Sequence, residues 1–280
     1  MAADEMPAMP SMPTDLRADT LVDNTQTARL ALACLDLTSL NDADDAAATA
    51  ALAQRAVGRA GPPAALCVWP RFVAQARALV PAHIRIAAVA NFPGGGLDLA
   101  AVALADAKAI IQAGGDEIDL VLPWRALQGG DAADLRAIAT LLAAVRQACA
   151  GKTLKLIIES GELKTPALIQ QACQLGLDAG VDFLKTSTGK TPNGATPDAA
   201  RVMLSAIAAH PRGAAVGFKA SGGIRTVADA AVYIALVREI LGGPALNPQR
   251  LRFGASGLLG DIESVLLAQG PGNTAAAGSY

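Results

Sequence analysis

Short runs of β-branched and apolar residues alternate along the chain with longer stretches whose apolar positions recur every three to four residues. Eight of the short runs are predicted as strands: Ala31 to Leu37, Ala65 to Pro70, Arg85 to Asn91, Glu117 to Pro123, Lys155 to Ser160, Phe183 to Gly189, Ala215 to Ser221 and Arg250 to Ser256. Their starts lie 20 to 38 residues apart, which is the length of a strand-plus-helix unit. Some of the helices announce their beginnings. Thr196 supplies a cap, Pro197 a first-turn proline and Asp198 a first-turn acid, while Thr226 with Asp229 has the form of a capping box with Asp in place of Glu. Eight such units predict an α/β fold, a (β/α)8 TIM barrel in a single domain; a doubly wound sheet would show fewer strands and a glycine fingerprint after the first. The barrel domain is expected over residues 28–269, with a flexible N-terminal extension over 1–27 and a flexible C-terminal tail over 270–280.

Composition agrees with a folded chain. Of 280 residues, 52% are apolar and 17% charged, enough to bury a sizeable core. The formal charge of −2 comes without a basic stripe, so no nucleic acid partner is expected. No uncharged apolar run approaches the roughly 18 to 20 residues that span a bilayer, so no membrane partner is expected. The N-terminal segment lacks the cationic start and apolar core of a secretory signal, which makes a cytoplasmic home the expectation. Cys34, Cys67, Cys149 and Cys173 are scattered without C-x-x-C spacing and read as reduced thiols. His83 and His210, the only histidines, both read as surface residues. Two cannot build a three-histidine metal site, and Ser-His-Asp chemistry is improbable.

In a TIM barrel the chemistry sits at the C-terminal ends of the strands. Asp36, Cys67, Asn91, Asp119, Lys185 and Lys219 all fall inside or at the end of predicted strands. By strand alternation Phe183, Lys185 and Ser187 share one face and Leu184 and Thr186 the other; Gly217, Lys219 and Ser221 group in the same way. A lysine inside a strand can snorkel to water or form a structural ion pair with Asp119. Two on adjacent strands suggest more. Ammonium groups about 6 Å apart repel by about 3 kcal/mol at an effective dielectric of 20, which lowers the pKa of one toward neutrality. A neutral amine attacks carbonyls to form a Schiff base. The residues alone do not say which of the two lysines it is.

A phosphate signal stands apart from the lysines. Gly222-Gly223-Ile224-Arg225 follows the seventh strand and Gly254-Ala255-Ser256-Gly257 the eighth, where TIM barrels hold a substrate phosphate on backbone N–H groups; glycines that simply make tight turns are the alternative. The segment Thr186 to Thr191 ends in GKT as a Walker A loop does. It has Leu184 five residues before Gly189 where that loop needs glycine, so nucleotide binding has little support.

Seven ordered blocks, CLDLTSLND (34 to 42), LCVWPRFV (66 to 73), EIDLVLPWRAL (117 to 127), LIIESGELK (156 to 164), FLKTSTGK (183 to 190), GFKASGGIRT (217 to 226) and RFGAS (252 to 256), make the chain resemble the deoxyribose-phosphate aldolase family from about Leu30 to the C-terminus. That family consists of Schiff-base aldolases on a TIM barrel. They reversibly cleave 2-deoxy-D-ribose 5-phosphate to D-glyceraldehyde 3-phosphate and acetaldehyde, in deoxynucleoside catabolism. The resemblance implies that Lys185 forms the imine, that Lys219 depresses its pKa, and that Asp119 shuttles protons through a water. It implies phosphate contacts from Gly189, Lys190, Gly222, Gly223, Arg225, Gly254 and Ser256. Asp36, Thr38, Cys67 and Thr188 are implied to line the pocket around the sugar chain, with Cys67 as wall rather than nucleophile. No cofactor and no metal is implied. The partners are a sugar phosphate and an aldehyde, and a homodimer is the assembly considered. Tyr280, the last residue, is implied to reach back to the pocket, a role that a tail without function rivals. Three positions depart from the family pattern: Gly257 stands where a second serine is common, Trp69 where tyrosine is common, and Pro93 to Gly96 replaces a more varied loop. Another phosphosugar lyase or transaldolase on the same barrel, or a silent phosphosugar-binding barrel, are the competing readings.

Overall fold

The computed structural model describes residues 24–268, in which eight parallel strands pair in chain order and β8 returns to β1 to close a barrel. The strands are β1 (Leu35–Thr38), β2 (Ala65–Val68), β3 (Arg85–Ala90), β4 (Glu117–Val121), β5 (Thr153–Ile157), β6 (Phe183–Lys185), β7 (Gly217–Ser221) and β8 (Leu251–Ala255). Helix α1 (Asn24–Ala33) precedes them. Single helices α2 (Ala46–Ala56), α3 (Val73–Leu79) and α4 (Ala100–Gln112) follow the first three strands. Pairs follow the next two, α5 (Trp124–Gly129) with α6 (Ala132–Ala148) and α7 (Ser160–Leu163) with α8 (Pro166–Asp178). Helices α9 (Pro197–Ala209), α10 (Val227–Leu241) and α11 (Leu258–Leu267) follow the last three.

Period-two alternation divides every strand between two environments. Leu35, Leu37, Ile118, Leu120, Leu154, Leu156, Leu184, Phe218 and Phe253 point outward and are buried under the helices. Each such side chain contributes about 1.5–3 kcal/mol by leaving water. The alternate positions fill the lumen. On β2 and β3 these are Cys67, Ala87 and Val89, which form a small apolar wall with Leu40. On β1 and on β4 to β8 the lumen holds charged side chains instead, and that asymmetry locates the site.

The eight predicted strands are all present, with shifted ends. Ala31, predicted to open the first strand, lies in α1, and β1 begins only at Leu35. Ala28, Ala31 and Leu32 are spaced to bury one helical face, and they do so against α10 and α11. A run of alanine and leucine reads equally as buried strand, and helix propensity decides it. The described fold therefore starts four residues ahead of the expected boundary at 28. The rest of the predicted extension, the tail and Tyr280 lie outside the described residues.

Both predicted caps form. The Thr196 hydroxyl accepts from the Ala199 N–H at 3.2 Å, and Thr226 and Asp229 bond reciprocally at 3.1 and 2.9 Å. His83 is exposed, but His210 is partly buried, with its ring 3.6 Å from the Asp178 carboxylate, so the surface reading holds for one histidine only. All four cysteines are buried as free thiols. Among the described residues no helix is long and apolar enough to cross a membrane.

Candidate active site

Strand register brings the lysines together. Lys185 on β6 is paired with Lys219 on β7, and Asp119 on β4 with Lys155 on β5. All four side chains point into the lumen and are at most 2% exposed. Asp119 is the hub: its Oδ2 accepts from Lys185 Nζ and from Lys219 Nζ, each at 2.8 Å, and its Oδ1 accepts from Lys155 Nζ at 2.8 Å. Asp36 on β1 accepts from Lys219 and Arg252 and lies 3.5 Å from Lys155. Glu117, below Asp119 on β4, takes Lys155 and accepts from Arg252 Nη2 at 2.9 Å.

Three lysines and one arginine thus face three carboxylates, and the partners are shared unequally. Among the described residues Lys155 pairs with Asp36, Glu117 and Asp119, Lys219 with Asp36 and Asp119, and Lys185 with Asp119 alone. This inequality orders their basicities. Burial disfavours the charged form of each lysine. For Lys155 and Lys219 the carboxylates overcome that cost and hold the pKa above the ordinary lysine value. For Lys185 burial prevails over its one carboxylate, Lys219 adds repulsion, and the pKa falls. Burial therefore lowers the Lys185 pKa more than the lysine–lysine repulsion from which the expectation was argued. Two of the carboxylates are held low: burial would raise Asp119, but Lys155, Lys185 and Lys219 hold it well below the carboxylate range. Lys219, Arg252 and Lys155 likewise outweigh burial at Asp36 and hold it low.

Above this charged layer opens a cavity of about 430 Å³. Thr38, Thr188, Gly189, Lys190, Gly222, Gly223, Arg225, Gly254 and Ser256, all named from sequence, line it together with the ends of β1 and β7. Gly189, Gly222 and Gly223 have positive φ, which only glycine adopts without strain, so their loops can turn their N–H groups into the opening. Gly254 is required for another reason. A side chain there would come within 3.0 Å of the Lys219 Cε and 2.7 Å of the Ser221 Oγ, so its absence makes room for the lysine. Cys67 lines the apolar wall below, and burial followed by the negative charge of Asp119 raises its pKa, which keeps it a thiol.

The three departures also have places. Gly257 lines the cavity, with nothing within 4 Å of where a side chain would begin. Trp69 donates from its indole N–H to the Asn41 carbonyl at 3.0 Å and packs edge-on against Phe92, which ties the β1, β2 and β3 loops together. In the Pro93 to Gly96 loop, Gly95 sits so close to the Leu122 carbonyl that a side chain would meet it at 2.4 Å.

Sequence reasoning missed Lys155, Glu117, Arg252 and Glu159. All four fell within predicted strands and so carried the signal that found Lys185 and Lys219, a charge inside a strand. Lys155 escaped because the predicted strand began at it, whereas β5 begins at Thr153 and places it mid-strand. Glu117 alternates with Asp119 and so had to share its face.

A buried lysine whose pKa is lowered by desolvation and a neighbouring ammonium is more readily freed of its proton, and the free amine can add to an aldehyde carbonyl, which a protonated one cannot do. A barrel built to that end is a lyase of the imine-forming aldolase class. Residues 30–256 match the family described as DeoC/LacD family aldolase, and the chain belongs to that family. It is 47% identical over 253 residues to a deoxyribose-phosphate aldolase from Agrobacterium fabrum, covering 89% of this chain and 95% of that one. Two solved structures share the fold at lower identity. An apo chain from Toxoplasma gondii ME49, described as a candidate deoxyribose-phosphate aldolase, superposes with a TM-score of 0.79 at 24% identity, over 88% of this chain and 97% of that one. A tetrameric deoxyribose phosphate aldolase from Aeropyrum pernix gives 0.64 at 23% identity, over 86% and 96%.

Proposed function

We propose that this aldolase cleaves 2-deoxy-D-ribose 5-phosphate reversibly to D-glyceraldehyde 3-phosphate and acetaldehyde, with Lys185 as the imine-forming residue. The observation that carries the assignment to Lys185 is its single carboxylate partner, against two for Lys219 and three for Lys155. The phosphate sits among Gly189, Lys190, Gly222, Gly223, Arg225, Gly254 and Ser256, with Thr38 and Thr188 beside the sugar chain and Asp36 and Cys67 below it.

The Lys185 nitrogen adds to C1 of the open-chain sugar, and water leaves with one proton taken up from solvent, giving a protonated imine. The C2–C3 bond then breaks, and its electron pair moves into the imine as an enamine while the C3 hydroxyl proton passes through a water to Asp119. Burial would make Asp119 a better base, but the positive charges at Lys155, Lys185 and Lys219, the imine cation standing in for the Lys185 ammonium, make it a poorer one. It therefore relays the proton and does not store it, and the Lys219 ammonium 2.8 Å away is the cation that supports the relay. The enamine takes a proton at carbon, and water releases acetaldehyde and the free amine.

Borohydride reduction in the presence of acetaldehyde tests the reading. An ethyl adduct mapped to Lys185 is the expected result, together with glyceraldehyde 3-phosphate formation in a coupled assay; an adduct elsewhere, or none, overturns it. We also read the enzyme as cytoplasmic, which its four buried thiols support, and as a homodimer, which light scattering on the purified chain decides.

A further inference from the structure

Glu159 lies two residues past the end of β5 and holds φ 55° and ψ 56°, a left-handed conformation that a residue with a side chain adopts only where its surroundings enforce it. Its neighbours are pinned to the barrel: the Ile158 and Ser160 N–H groups donate to the carbonyls of Lys185 and Thr186 at 3.0 and 2.9 Å. The carboxylate is fully buried, and among the described residues no lysine or arginine pairs with it. It takes its hydrogen bonds from the loop that carries the phosphate-site residues. The Thr188 N–H donates to both of its oxygens, at 3.2 and 3.3 Å, and the Thr188 hydroxyl donates to Oε2 at 2.6 Å. Thr191 adds a third donor at 3.3 Å.

This arrangement fixes the polarity of the Thr188 hydroxyl. Its proton is committed to Glu159, and one of its lone pairs takes the Lys190 N–H at 3.1 Å. A hydroxyl has one donor and two acceptor sites. Only one acceptor site is left, and Thr188 lines the cavity. The far end of the loop is clamped as well, since the Ala195 N–H donates to the Ser221 and Gly222 carbonyls at 3.0 and 3.1 Å. The loop cannot easily rotate to offer a proton instead.

We propose that Glu159 is a positioning residue which makes Thr188 an obligate acceptor, so that the site selects substrates carrying a hydroxyl on the carbon next to the phosphate-bearing one. The proposal rests on the reaction proposed above, in which that hydroxyl belongs to the glyceraldehyde 3-phosphate half.

The test compares glyceraldehyde 3-phosphate with 3-oxopropyl phosphate, its analogue without the hydroxyl, as acceptors for acetaldehyde. The native enzyme is expected to favour the hydroxylated acceptor in kcat/KM by about tenfold, the worth of one hydrogen bond to a committed acceptor. In Glu159→Gln the amide offers a proton to Thr188 and releases the threonine proton toward the cavity, where the substrate hydroxyl must turn round to accept it, so the preference falls through KM. Thr188→Val, which removes both polarities, should bring the preference to about one, and adding Glu159→Gln to it should change nothing further. An unreduced preference in either variant, or none in the native enzyme, overturns the proposal; should Glu159→Gln fail to fold, Thr188→Val alone decides. Acetaldehyde trapping on Lys185 involves neither hydroxyl nor phosphate. Trapping that succeeds while the preference is unmoved removes the role of Glu159 alone, whereas absent trapping in the native enzyme removes the underlying reaction.

Discussion

Lys185 and Lys219 stand opposite each other on neighbouring strands, and both ammonium nitrogens lie 2.8 Å from the same oxygen of Asp119. One carboxylate oxygen cannot fully neutralise two buried cations. The lysine with the second carboxylate, Asp36, has its pKa raised, and the other has it lowered.

Removing Lys219 should therefore return the proton to Lys185. In Lys219→Leu the repulsion disappears and Asp119 and Asp36 lose a competing cation, so the Lys185 pKa rises. Activity needs the neutral amine, and the rising limb of the pH–rate profile moves to higher pH, with kcat/KM at pH 7 down about 10- to 100-fold. Rate profiles of both enzymes from pH 6 to 10 check this. An unmoved limb refutes the explanation.

Arg252 and Glu117 act on the same balance with opposite signs. Arg252→Met subtracts a cation from the lumen and should shift the limb to higher pH; Glu117→Gln subtracts an anion and should shift it lower. Arg252→Met also leaves two carboxylates short of a partner inside the barrel, a loss of about 3–5 kcal/mol that scanning calorimetry would read as a lower Tm. Shifts in one direction for both variants would contradict the charge argument.

Acid should unfold the barrel from its centre. Asp36 and Asp119 have folded pKa values below their unfolded ones, so the folded state binds fewer protons. Their contribution is fully present above the unfolded carboxylate pKa of about 4 and is lost as the pH falls below it. Thermal melts between pH 2 and 7 should show Tm dropping steeply below about pH 4, and Asp119→Asn should flatten that drop as well as lower Tm near neutrality. An equally steep acid limb in the variant would place the sensitive groups elsewhere.

Gly257→Ser should add a phosphate ligand. The position lines the cavity mouth and nothing obstructs a side chain there. KM for 2-deoxyribose 5-phosphate is expected to fall about two- to tenfold, the range of one hydrogen bond to a charged group partly open to water. KM for unphosphorylated 2-deoxyribose should stay where it is. Equal changes with both sugars would show that the serine acts on something other than phosphate.

The barrel was legible because alternation and helical spacing repeat eight times, and an error in one unit leaves the other seven intact. Lys185 and Lys219 were legible because a cation inside a strand lacks an ordinary structural reason. Their order was not, since it depends on which carboxylates reach which nitrogen, and Asp36 comes from a strand nearly the whole chain away from Lys219 and Arg252. Arg252 lay inside a predicted strand, but its partner was not legible, because only closure of β8 against β1 brings it to Asp36. Glu159 fell inside the predicted fifth strand, but β5 ends at Ile157, and nothing in LIIESGELK announces the left-handed turn that follows.

The uneven sharing of carboxylates acts a second time, after the amine has reacted. The covalent adduct carries a positive charge at the lysine with the fewest carboxylate partners. Drawing in the electrons of the nearby carbon–carbon bond removes the charge from that nitrogen, so the shortage of carboxylates that lowers the lysine's pKa also favours the cleavage.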